Sequence, residues 1–150
     1  MNAMTLMDAK VPDLARERRR RILLLTIVIV IVVLAGLAWG LRYWPEEHVA
    51  DKFFAALQKQ DYETAYGVYF HDPGWKQHPQ QYAKYPYNEF YTDWGPGGEW
   101  GLIKNYKIEV AGNCPGGGSG VVVQIIVNGR SERARLYIEK VDKTVSLPPC

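Results

Sequence analysis

The chain has 150 residues, 23% of them charged, with a formal net charge of +2 and two cysteines. That length suits one domain; the charge balance excludes a disordered acidic chain or a basic nucleic-acid tail, and the cysteine count excludes a fold built on several disulfides. Aromatic residues are abundant, at 13%.

Residues 1–21 form a basic segment, with Lys10, Arg16, Arg18, Arg19, Arg20 and Arg21 set against Asp8, Asp13 and Glu17. Ile22 to Leu41 is then an apolar run without a charge, and Thr26 is its one hydroxyl. As a helix this run spans about 30 Å, the hydrocarbon thickness of a bilayer. After it only Arg42 is basic among the next ten residues. Arg18, Arg19, Arg20 and Arg21 therefore act as the topology signal. They predict a single-pass signal anchor with residues 1–21 cytoplasmic and the C-terminal domain on the outer side of the membrane. Trp39, Tyr43 and Trp44 fall where an outer interfacial belt would lie. A cleaved signal peptide has a shorter apolar stretch and a site flanked by small residues, which Trp39, Arg42 and Trp44 interrupt. Residues 42–150 carry twelve basic and thirteen acidic side chains. That part has no positive surplus with which to track phosphates, so the bilayer is the expected partner and nucleic acid is not.

Residues 42–45 read as a linker and residues 46–150 as the outer domain. Pro45 opens a helix with Glu46 and Glu47 in its positively polarised first turn. Val49, Phe53, Ala56 and Leu57, widened by Ala50 and Phe54, recur at helical spacing. Asp61 reads as the N-cap of a second helix through Ala65, Tyr66, Tyr69 and Phe70, ended by His71-Asp72-Pro73-Gly74. Residues 75–85 give no clear periodicity. Pro86 starts a short helix carrying Phe90, Tyr91 and Trp94, which Gly95-Pro96-Gly97-Gly98 stops.

Tyr106, Ile108 and Val110 then alternate with charged residues, as a half-buried strand does. Val121 to Val127 and Ser131 to Val141 are further strands, and Thr144 to Leu147 a short last one. Asn128-Gly129 predicts a two-residue hairpin that sets Val127 opposite Arg130, Ile125 opposite Glu132, Val123 opposite Ala134 and Val121 opposite Leu136. One face then carries Val121, Val123, Ile125, Val127, Ala134, Leu136 and Ile138 toward the helices. The other is mixed and includes Arg133, Arg135 and Tyr137. Helices followed by antiparallel strands make an α+β domain.

This order resembles the nuclear-transport-factor-2-like (cystatin-like) superfamily. The matching pieces are the opening helix with Val49, Phe53, Phe54 and Leu57, Asp61-Tyr62 leading into Ala65-Tyr66, Phe90 in a short helix, the Gly101 to Val110 strand, and the hairpin ending in Tyr137 to Lys143. The resemblance implies that the transmembrane helix is followed by helices packed on a curved antiparallel sheet that leaves a cone-shaped pocket. Since many bacterial members are small extracytoplasmic domains behind one membrane helix, it also implies a periplasmic domain anchored in a bacterial inner membrane. Enzymatic relatives such as steroid isomerases and polyketide cyclases use acidic residues and tyrosines in that cone, but none of their catalytic positions carries over to a residue here.

Thirteen of the nineteen aromatic residues fall between Tyr62 and Tyr106. Aromatics supply large apolar area with polar tips, as core or as a binding surface. The binding candidates are Tyr66, Trp75, Tyr87, Tyr91, Trp94 and Trp100. In Asp93-Trp94-Gly95-Pro96-Gly97-Gly98-Glu99-Trp100-Gly101 two tryptophans, each beside a carboxylate, flank a glycine-rich turn. They could hold a ligand or pin the loop to the core. His71, Asp72, Asp93 and Glu99 form an acid–base set only if they converge. The His71, Asp72 and His78 spacing does not suit a metal, and no cofactor motif is present. Pairing of Cys114 with Cys150 is open. An oxidising compartment favours it, while a chain reversal at Asp142-Lys143 carries Cys150 away from the Cys114 end.

The reading that follows is a tethered binding or interaction domain for a protein partner or a small apolar ligand. A small-molecule enzyme of the isomerase or cyclase type and an accessory subunit of a larger membrane complex are the alternatives.

Overall fold

Asp13 caps the helix α1, Leu14–Gly40, by accepting the Arg16 N–H at 3.3 Å. The structure, a computed structural model, describes residues 13–150. The expectations that fall on residues 1–12, including Asp8 and Lys10 of the basic segment, lie outside the described residues. Helix α1 extends beyond the apolar run into the arginines, where Arg21 bonds Glu17 one turn back at 2.7 Å. Thr26 donates its hydroxyl to the Ile22 carbonyl at 3.0 Å, so the run presents no unpaired hydroxyl. The helix is exposed along its whole length. It is long and apolar enough to cross a membrane, a property that a membrane anchor and a signal sequence share.

The chain divides into two units, residues 1–42 and residues 43–150. The second opens with α2, Trp44–Gln58, so Trp44 and Pro45 belong to a helix rather than to a linker. Proline suits the first turn because the N–H it lacks would have no partner there. Val49, Ala50, Phe53, Phe54, Ala56 and Leu57 are buried, the face that helical spacing selects. Asp61 accepts the Thr64 N–H at 3.0 Å and caps α3, Tyr62–Tyr69. Two short 3-10 turns, Trp75–Gln77 and Pro79–Tyr82, follow before α4, Tyr87–Trp94.

Four strands complete an open antiparallel sheet in the order β1 (Tyr106–Asn113), β2 (Gly120–Val127), β3 (Arg133–Glu139) and β4 (Val145–Ser146). The domain is therefore α+β. Val121, Val123, Ile125, Val127, Ala134, Leu136 and Ile138 are each at most 1% exposed and pack under the helices.

The hairpin register differs from the two-residue expectation. Arg130 N–H bonds the Val127 carbonyl at 3.0 Å around Asn128 (φ 51°) and Gly129 (φ 68°), as expected for this turn. Pairing then resumes only at Ile126 opposite Arg133, with Ile125 opposite Ala134 and Val123 opposite Leu136. Arg133 donates to the Ser131 and Arg130 carbonyls, which holds Ser131 and Glu132 off the ladder. The shift relative to the expected pairs is two residues, so each side chain keeps its face. A bulge in β1 between Ile108 and Val110 lies at Glu109, whose carboxylate meets Arg133 with contacts of 2.5 and 3.0 Å.

Cys114 and Cys150 are joined by a disulfide, with their Cα atoms 5.8 Å apart. Cys114 follows β1 and Cys150 follows β4, the two opposite edges of the sheet. The reversal at Asp142-Lys143 does not separate them, because β4 is only two residues long and frees the tail to cross the sheet. Arg135, on the mixed face, donates to the Cys150 carbonyl at 2.9 Å. The last residues therefore strap the face opposite the core.

Candidate functional site

A cleft of about 690 Å³ opens between the helices and the β3 edge. Tyr69 of α3, Tyr85, Thr92, Asp93 and Trp94 of α4, and Gly98, Glu99 and Trp100 form one side. Arg133, Arg135, Leu147 and Pro148 form the other. The Asp93-to-Gly101 segment reaches this place through a tight turn. A Cβ on Gly98 would lie 1.9 Å from the Asp93 carbonyl oxygen, so glycine is required there, and Gly101 takes φ +61°, a conformation that favours glycine. Trp94 packs edge-on against Phe53 at 4.9 Å, and the Arg130 guanidinium lies 5.6 Å from the Trp100 ring centroid. Both indoles are nearly buried, so they pin the loop and give the cleft only their edges.

The charges of the cleft are unevenly matched. Arg133 is held by Glu109; that hydrogen bond, followed by the guanidinium charge, keeps the Glu109 carboxyl below its usual range. Tyr85 donates to Asp93 at 2.8 Å. Burial first, and then Asp93, pushes the Tyr85 hydroxyl far above its ordinary value, so it stays protonated. Among the described residues, Asp93, Glu99 and Arg135 join no ion pair.

The structure brings Asp93, Glu99, Trp94 and Trp100 to this one cleft. It does not bring His71 or Asp72 there. His71 lines a second cleft of about 520 Å³ with Val49, Lys52, Val68, Trp75 and Lys76. Asp72 accepts from the Gly74 N–H at 2.9 Å and the Tyr82 hydroxyl at 2.6 Å, and pairs with His78 Nε2 at 2.6 Å. The hydrogen bond to Asp72 leads in raising the Tyr82 hydroxyl to about 12. The four acid–base candidates are thus spread over three places, and general acid–base work by all of them together has no geometry here.

Tyr66, Trp75 and Tyr87 meet in a packed cluster. Tyr66 is 1% exposed, lies edge-on to Trp75 at 4.7 Å and to Tyr87 at 5.5 Å, and gives its hydroxyl to the Tyr85 carbonyl at 2.6 Å. Trp75 and Tyr87 stack at 5.2 Å. Tyr91 borders this cluster, 6.4 Å from the Tyr87 ring and edge-on to Tyr62 at 5.0 Å, and is exposed. Among the described residues no group of three or more His, Cys, Asp or Glu is placed to hold a metal ion.

Sequence reasoning missed that Arg133, Arg135, Leu147 and Pro148 share the cleft with Asp93 and Glu99. The one signal was the mixed strand face carrying both arginines. The chain matches no family model, no curated protein and no solved structure.

Proposed function

We propose that this chain is a single-pass anchored binding domain, held by α1 in a bacterial inner membrane with its N-terminus cytoplasmic and residues 43–150 on the periplasmic side. The observation that carries this reading is α1 itself. Its apolar run has no buried residue and begins directly after four consecutive arginines. A helix that is hydrophobic all round needs an apolar medium, and the basic end stays inside. The Cys114–Cys150 bridge is consistent with an oxidising compartment.

The binding part of the reading rests on the cleft, where Asp93 and Glu99 join no ion pair among the described residues. The helix-then-sheet order supports the nuclear-transport-factor-2-like likeness, with a sheet curving around α2 as the finer proposal. The space under the sheet is filled by Phe53, Phe54, Ile125 and Leu136, which favours a binding surface over a deep catalytic cone. One contact favours the enzymatic alternative, the Tyr85–Asp93 hydrogen bond inside the cleft.

Alkaline washing of membranes from expressing cells, followed by intact-mass measurement, tests the tether. The reading predicts an unextracted species with the mass of the uncut chain. A soluble species shortened at its N-terminus overturns it.

A further inference from the structure

The edge of β3 is only half used. The Glu139 N–H bonds the Thr144 carbonyl at 3.0 Å, and Tyr137 faces Ser146, where the β3–β4 pairing ends. Backbone groups alternate in direction along a strand, so those of Arg135 and Arg133 point to the same side as those of Glu139 and Tyr137. Continued in register, the next partner of Arg135 would be Pro148, which has no N–H to donate, and Pro149 follows. The tail instead leaves the edge and crosses the mixed face to its bond with Cys114. The cleft lies along the part of this edge that β4 leaves unpaired, bounded by Arg133 and Arg135 with Leu147 and Pro148 of the tail on one side and by Asp93 and Glu99 on the other.

We propose that this edge is a strand-addition site. An extended segment of a partner protein enters the cleft, pairs its backbone with Arg133 and Arg135 as a new antiparallel or parallel strand, and sets a basic side chain against Asp93 and Glu99. Charge complementarity selects the basic occupant. Arg133 is paired with Glu109, and Arg135 is bonded to the Cys150 oxygen, which leaves Asp93, hydrogen-bonded to Tyr85, and Glu99 as two carboxylates that join no ion pair among the described residues. Main-chain pairing supplies affinity in this mode and the flanking charges supply selection. Two nearly buried tryptophans and the disulfide-held tail make the walls rigid, so little ordering is lost on binding. This inference rests on the binding-domain reading and names its partner class.

The test uses the full chain in detergent micelles, so its result does not depend on whether α1 is retained in a membrane. The probe is a blocked peptide of about eight residues alternating threonine and valine with one central lysine. Amide hydrogen exchange and peptide titration are read together. The proposal predicts fast exchange at the Arg133 and Arg135 amides that face the cleft edge in the free protein, and protection when the lysine peptide binds. N-methylation of alternate peptide amides abolishes binding. Replacing the lysine by glutamate, or Asp93→Asn with Glu99→Gln in the protein, weakens binding by about tenfold or more. Slow exchange at Arg133 and Arg135 without peptide would mean the edge is already occupied, by a second copy or by the chain itself. That result, equal binding of the N-methylated peptide, or no binding of the lysine peptide, each overturns the proposal. A membrane anchor confirmed by alkaline washing together with any of these results leaves the tether standing and removes only the strand-addition site.

Discussion

Lys143 donates from Nζ to Glu46 Oε1 at 2.6 Å, which ties the β3–β4 turn to the first turn of α2, 97 residues away in sequence. Glu46 is 3% exposed, so its carboxylate depends on this one cation in the interior. Removing the cation leaves a buried charge without a partner, the costly half of a broken ion pair. Lys143→Met is expected to lower stability by about 3 kcal/mol. Adding Glu46→Gln to that variant recovers part of the loss. Chemical denaturation of the two variants and the parent measures both effects; equal stability of Lys143→Met and the parent would show the pair to be idle.

The disulfide is a second long-range tie. It closes a loop with a sequence separation of 36. Restricting the unfolded chain to that extent is worth about 4 kcal/mol. Cys150→Ser should therefore lower stability by roughly that amount. Adding reductant to the parent should give the same loss, and adding it to the variant should change nothing. Denaturation midpoints with and without reductant check this.

Asn128 does two things at the β2–β3 turn, and they can be separated. Its φ of 51° places it in the left-handed region. Its side chain accepts from the Lys104 N–H at 2.8 Å and the Asn105 N–H at 3.3 Å and donates to the Leu102 carbonyl at 2.9 Å, which fixes residues 102–105 to the hairpin. Asn128→Gly keeps the conformation and loses only the side-chain bonds, at about 1–2 kcal/mol. Asn128→Ala loses both and should cost about 1 kcal/mol more. Thermal unfolding of the two variants should rank them in that order.

Several tyrosines make the domain sensitive to base. The hydrogen bond to Asp72 leads in raising Tyr82, and burial leads in raising Tyr106, each from 10.0 to about 12. Above pH 10.0 the unfolded chain releases these protons while the folded one keeps them. The folded form then binds more protons, so stability falls as pH rises from 10.0 toward about 12. Tyrosinate absorbance should lag in the native protein and rise abruptly at alkaline unfolding. Tyr82→Phe removes one of the delayed groups and flattens the decline.

Local patterns made much of the fold legible. The stripe of α2, the Asp61 cap and the alternation of β2 and β3 are short-range signals, and the buried residues follow them. The register was less legible, because a turn sequence fixes only its own backbone. Arg133 reaching back to Ser131 decides where pairing resumes. The disulfide could not be settled from spacing, since it depends on β4 stopping after two residues and on the tail crossing the sheet. The Glu46–Lys143 pair joins distant residues, and a glutamate in a helix's first turn already has a local explanation that hides the other one. Within the cleft, the nearness of Asp93, Glu99 and the two tryptophans could be read from one loop. Its opposite wall of Arg133, Arg135, Leu147 and Pro148 is assembled by sheet topology alone.

Limited proteolysis of intact cells whose outer envelope has been permeabilised tests the proposed topology most directly, by asking which side of the inner membrane holds residues 43–150. The account predicts that added protease removes this domain and leaves a protected fragment containing α1 in the membrane. Full protection of the domain, with cleavage only after the inner membrane is opened, would contradict it.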